Sequence, residues 1–299
     1  MNTKFEEAIN KVERKVLEYP KIELNEIVKY SDWPRKLLGI EDFNIKYKTK
    51  KEVLREYDVD KWGVLLNDFN NSKWKNLDEF ILHFTGDEQN VFFWKNNLYL
   101  MSPFLMNRIQ IELIKNIIKI FLPTNTIIEI GSGFGNIILN LANDKDFKGI
   151  SFIGGELTNT GIQLTNLLAK KFKLDVTAKH CDISQPNFFD DELPSNAIIF
   201  TNYSLDYLSR MNDTLIKSFR KLKPKVIISC EPIYKKENHK SLLELMMMKY
   251  IHLNDYNTNY LEILQKAQRE RKINIDYYFP QLHGSNPFLP VSLLVWSFK

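Results

Sequence analysis

The chain has 299 residues, enough for one large domain with an accessory region, and its 44% apolar and 26% charged content is that of a globular protein. Two cysteines exclude a disulfide framework, no apolar run is long enough for a bilayer, and the charged start MNTKFEEAINKVERKVLEYP is no signal peptide, so a cytoplasmic protein is expected. The net charge of +4 comes without the dense basic stripe of a nucleic-acid surface, and the five histidines are scattered without metal-ligand spacing.

In chain order, the first segment predicts an amphipathic helix with Phe5, Ile9, Val12 and Val16 on one side. Helix-like patches such as KKEVLREY and NLDEFILHF continue to about residue 104, broken by polar segments. Trp33, Trp62, Trp74, Phe92, Phe93, Trp94 and Tyr99 crowd this region and suit a small core. SPFLMNRIQIELIKNIIKIFLP predicts a helix with Ile114, Ile117, Ile118 and Phe121 on one face, ended by Pro123. TIIEI, at 126–130, is the short apolar run of a buried parallel strand.

Gly131, Gly133 and Gly135 come next, before the apolar run of Ile137, Ile138, Leu139 and Leu141. Glycine there allows a tight turn and close backbone approach, and the helix start beyond it leaves free N–H groups. A strand, glycine turn and helix make the nucleotide crevice of an open α/β sheet. The pattern misses the dinucleotide fingerprint, because the third glycine is one residue early and Asn136 stands in its place; no Gly-Lys-Ser/Thr follows for a P-loop.

Four more strands are expected. FKGISFIGGE ends at Glu156, whose carboxylate suits a pair of ribose hydroxyls and equally a helix N-terminus. LDVTAKHCDIS ends at Asp182, which also suits a turn cap before Ser184. NAIIFTNYSLDYL carries Thr201, Asn202 and Tyr203 out of the fourth strand, and PKVIISCEP ends the fifth at Glu231 and Pro232. Two helices, HKSLLELMMMKYIHL and NTNYLEILQKAQRERK, precede a final strand pair, INIDYYFP and SLLVWSFK, with His283 in their connection. Cys181 and Cys230 read as small buried hydrophobes on separate strands.

The E-x-G-x-G-x-G run from Glu129 to Gly135, with Glu156 and Asp182 following in order, resembles class I S-adenosylmethionine-dependent methyltransferases over residues 105–299. The resemblance implies an α/β fold with a seven-stranded Rossmann-like sheet in the order 3-2-1-4-5-7-6. It implies S-adenosyl-L-methionine as cofactor, held by Glu129, Gly131, Gly133, Gly135, Glu156, Asp182 and Thr201. Residues 1–104 would then be a mainly helical lid over the acceptor site, whose removal leaves the crevice largely formed. The loop after strand four lacks the Asn/Asp-Pro-Pro-Tyr/Phe run of nucleobase amino-methyltransferases, and no second Asp-Asn pair suggests a metal-dependent catechol-type enzyme. A looser similarity to bacterial sugar and natural-product methyltransferases implies a biosynthetic small-molecule acceptor methylated at oxygen. Tyr203, Glu231 and His283 are the candidate catalytic residues. A peptide, protein or RNA acceptor stays open as the alternative, and the sequence carries no sign of oligomeric state.

Overall fold

The computed structural model describes residues 2–45, 47, 49–233 and 241–299. Helix α1 (Asn2–Val16) leads, and the spacing of Phe5, Ile9, Val12 and Val16 puts all four inside. Strand β1 (Lys21–Ile22) and the short helices α2 (Trp33–Leu37) and α3 (Lys50–Leu54) follow. Thr49 starts α3 with a capping box, its side chain accepting from the Glu52 N–H. A π-helical stretch (Arg55–Lys61) then runs into α4 (Trp62–Asn71), with α5 (Leu77–Thr85) beyond.

Strands β2 (Asn90–Trp94) and β3 (Asn97–Met101) form an antiparallel hairpin. Its two turn residues, Lys95 and Asn96, have φ of +45° and +65°, as a type I′ turn requires. Ser102 caps α6 (Pro103–Lys119), with Pro103 in the first turn where no N–H is missed. The chain then alternates through β4 (Thr126–Ile130), α7 (Asn136–Ala142), β5 (Ser151–Glu156), α8 (Asn159–Phe172), β6 (Val176–His180), β7 (Ile198–Asn202), α9 (Thr214–Lys221) and β8 (Val226–Pro232). Helices α10 (Leu242–Leu253) and α11 (Tyr260–Arg269) and strands β9 (Ile273–Gly284) and β10 (Val291–Phe298) complete it; His239 and Lys240, where α10 was expected to begin, lie outside the described residues.

One sheet joins every strand, in the order β6-β5-β4-β7-β8-β10-β9-β2-β3-β1. The five strands from β6 to β8 are parallel, and each later neighbour is antiparallel. Alternate residues of each central strand face opposite layers. Ile127, Phe200 and Ile228 pack with α1, α6, α7 and α8, while Ile128, Ile199 and Ile227 pack with α9 and α11. A third cluster sets β2 and β3 against α10, with Met246 and Met247 filling space beside Val91 and Phe93.

The expectation of seven strands is corrected to ten among the described residues. The chain from β4 onward supplies seven of them, running third, second, first, fourth, fifth, seventh, sixth across the sheet. Residues before 105 supply the other three, so that region is not only helical. The reason lies in β9, whose far end offers open backbone groups that β2 pairs, Phe93 with Gly284 and Trp94 with His283. His283 therefore lies in a strand rather than in a loop.

Candidate active site

At the carboxyl end of the parallel strands lies a cavity of about 780 Å³, within the range of small-molecule sites. Its floor is the turn after β4. Gly131, Gly133 and Gly135 all have positive φ, at +76°, +57° and +82°. A Cβ on Gly131 would lie 2.2 Å from the Ser204 Cβ, one on Gly133 2.9 Å from the Trp62 ring, and one on Gly135 2.6 Å from Thr165. Neighbouring protein groups therefore need all three glycines. Gly131 and Gly133 line the cavity; Gly135 sits behind it, where α7 meets α8.

Two buried glutamates brace this turn. Gly135 occupies the cap position of α7 and has no side chain to cap with, so Glu129 does it, accepting the Ile138 N–H at 3.1 Å. Burial holds the Glu129 carboxyl well above the usual carboxylate range. Glu156, at the end of β5, accepts the Gly133 N–H at 2.9 Å with one oxygen and the Thr158 N–H and hydroxyl with the other. Its pKa is also raised by burial, against those hydrogen bonds. Asp182, just past β6, accepts from Ser184 at one oxygen and from Lys50 Nζ, 2.6 Å away, at the other. Burial would raise this carboxyl, but the lysine and serine partners outweigh it and hold the pKa down.

The roof comes from the segment that begins at α3. Lys50, Val53, Tyr57, Lys61 and Trp62 line the cavity, with Phe84 beside them. The Trp62 and Phe134 ring centroids are 5.3 Å apart, and Asp58 accepts from the Thr160 N–H and hydroxyl at 2.9 and 2.6 Å, fastening the roof to the start of α8. Tyr57 and Lys61 come from the π-helical stretch, a feature frequent at functional sites.

The far wall is aromatic. Tyr203, Tyr207, Tyr250 and Tyr256 line it with Tyr57, around the buried Asp206. Tyr203 follows β7 with φ of +49°, a conformation that non-glycine residues seldom hold, and its hydroxyl donates to the Leu289 carbonyl at 3.0 Å. Glu231 stabilises this loop from behind. Its carboxylate accepts from the Ser204 N–H and hydroxyl and from the Leu205 N–H, at 3.1–3.3 Å.

Besides Gly135, three more expected site residues are placed away from the cavity. Glu231 and His283 are each 1% exposed, and neither borders the cavity; Thr201 is fully buried behind the same loop. Glu231 sits within β8, paired with Ser292, and points at the loop backbone. His283 lies beside Phe92 and Trp94, with ring centroids 6.2 and 6.3 Å away, and burial lowers its pKa to about 3. Of the candidates, Glu129, Gly131, Gly133, Glu156, Asp182 and Tyr203 meet at the cavity.

No protein-family model matches the chain, and neither does any curated protein. Solved structures do. The [4+2]-cyclase SpnF aligns at a TM-score of 0.50, 14% identical over 79% of this chain and 77% of that one. Magnesium protoporphyrin IX methyltransferase (ChlM) from Synechocystis PCC 6803, with bound SAH, also aligns at 0.50, 12% identical over 84% of this chain and 99% of that one. This is the class I methyltransferase fold.

Around this methyltransferase fold, the chain adds cavity residues that sequence reading passed over. Trp62 was counted with core aromatics, Tyr57 closed the helix-like patch KKEVLREY, and Tyr250 lay in the helix HKSLLELMMMKYIHL. A spacing signal existed only for Asp206 and Tyr207, which follow Tyr203 in the loop after the fourth strand, where ligands gather in such sheets. Among the described residues no group of three or more His, Cys, Asp or Glu could hold a metal, and no helix is long and apolar enough to cross a membrane. Cys181 and Cys230 are buried free thiols.

Proposed function

We propose that the chain is a methyltransferase that moves a methyl group from S-adenosyl-L-methionine to a small molecule enclosed in this cavity. The observation that carries the reading is the position of Glu156 and Asp182, at the ends of adjacent strands and on the wall of one cavity with a side-chain-free glycine floor. The donor set fits the group. Glu156 would take the ribose, Asp182 the adenine edge, and Gly131 and Gly133 the backbone-hugging middle. When bound, that group supplies a methyl on a good leaving group, so the protein's task is alignment and exclusion of water.

The roof over residues 50–62 supports a small acceptor over a peptide, protein or RNA. Transfer to a hydroxyl, the finer expectation, would need a base at the cavity. Glu231 and His283 do not reach it, which leaves Asp206. A second reading has one specific support: a neighbour of this fold is a cyclase, so the fold does not fix the reaction.

Calorimetric titration with S-adenosylmethionine and its demethylated product tests the proposal. Both should bind, and Glu156→Ala should weaken binding by ~1–3 kcal/mol. Binding of NAD instead, with none of either ligand, overturns it. Incubation with methyl-labelled cofactor and fractionated extract separates the readings, since label in small molecules is expected and label in polymers alone would favour the macromolecular acceptor.

A further inference from the structure

Trp62 is 8% exposed, and its indole nitrogen is buried without a hydrogen-bond partner among the described residues. Native structures leave few buried donors unpaired, because the desolvation of the group is then uncompensated. Tyr57, Phe84 and Phe134 pack on the ring, with centroids 5.5, 5.9 and 5.3 Å away. A turn that brought the nitrogen to water would break those contacts.

The place of the ring decides what this donor can meet. A Cβ on Gly133 would lie 2.9 Å from Trp62 Cζ2 and 3.5 Å from Cε2, the carbon that carries Nε1. The Gly133 N–H in turn donates to Glu156 at 2.9 Å. The indole edge and the carboxylate thus meet at one glycine, and all three residues border the cavity. Other fastenings of the roof land on the same side. Lys50 donates to Asp182, and Asp58 accepts from Thr160, two residues past the Thr158 that holds Glu156. The roof is therefore fixed to the residues assigned above to the nucleoside.

We propose that Trp62 belongs to the cofactor site and recognises the ribose. A ribose hydroxyl both gives and takes a hydrogen bond: it donates to the Glu156 carboxylate and accepts from Trp62 Nε1–H, which can only donate. A ligand without that hydroxyl leaves the indole donor unpaired, and a site built around a hydroxyl discriminates strongly on that account. The proposal rests on the cofactor part of the reading above and leaves the acceptor open.

The test is calorimetric titration of S-adenosyl-L-homocysteine and its 2′-deoxy and 3′-deoxy analogues into the full chain and into Trp62→Phe. Trp62→Phe should bind the parent ligand about two- to tenfold more weakly. One deoxy analogue should cost the wild type more than it costs Trp62→Phe, by about the same factor, because hydroxyl and N–H form one bond. A ring that serves only as packing weakens all three ligands alike. Benzothienylalanine in place of Trp62 keeps the ring shape without the N–H. It should repeat the pattern, and it decides the matter if Trp62→Phe fails to fold. Equal losses for the three ligands, or unchanged affinities in the variant, overturn the inference; a variant impaired in turnover alone would give the donor to the acceptor instead. Wild type that binds none of the three ligands removes the cofactor reading and this inference together. Binding without the expected difference between analogues removes the role of Trp62 alone.

Discussion

Glu231 is a carboxyl inside a strand, with its pKa pushed up to about 8 by burial and by the nearby Asp206. A folded pKa above the unfolded value means that the folded chain holds the proton more tightly. Its contribution is then full below the unfolded pKa and is lost as pH rises toward the folded one. Melting temperature should fall between about pH 5 and 8, and Glu231→Gln should flatten that slope, because an amide can still accept the Leu205 N–H. Equal slopes in both proteins would show that another group titrates. Gly133 makes a sharper case. Alanine there costs about 1–2 kcal/mol for the left-handed backbone and also strikes Trp62, so urea unfolding of Gly133→Ala should show a loss of at least that size. The places of the glycines, Glu156 and Asp182 were readable because each follows directly from the strand just before it. The burial of Glu231 and His283 was not readable, because it depends on how far β8 and β9 run, and β9 runs on to Gly284 where β2 pairs with it.

Among elements, the roof hangs on few fastenings. Asp58 supplies two hydrogen bonds to Thr160, and Lys50 pairs with Asp182 from a half-exposed position, where an ion pair contributes little. Asp58→Ala should lower stability by about 1 kcal/mol, as loss of a helix cap does, and speed limited proteolysis within 49–61. Cleavage no faster than in the parent would place the roof's hold elsewhere, with Trp62 the next candidate. Helix α3 could be read from its Thr-x-x-Glu start. The β2–β3 hairpin could have been read too, since VFFW and LYLM flank a Lys-Asn-Asn turn, but its aromatics looked like core packing without a partner.

On the scale of the molecule, the N-terminal hundred residues are structural as well as covering. Phe5, Ile9, Val12 and Val16 are fully buried, and Phe5 stacks on Tyr277 of β9 at 4.4 Å. At about 1.5–3 kcal/mol for each buried side chain, α1 alone represents a share comparable to a domain's whole stability. Deleting residues 1–100 should therefore give an unfolded or aggregating core, contrary to the expectation of a crevice left largely formed; a soluble truncated chain with a cooperative melt would contradict this. The pairing of Trp94 with His283 has a further consequence, in time. Those residues are about 190 positions apart, so the hairpin leaves the ribosome long before the strand that covers its edge. Throughout synthesis β2 presents an apolar strand with open backbone groups, and two nascent chains on one messenger can pair there before either can close on itself.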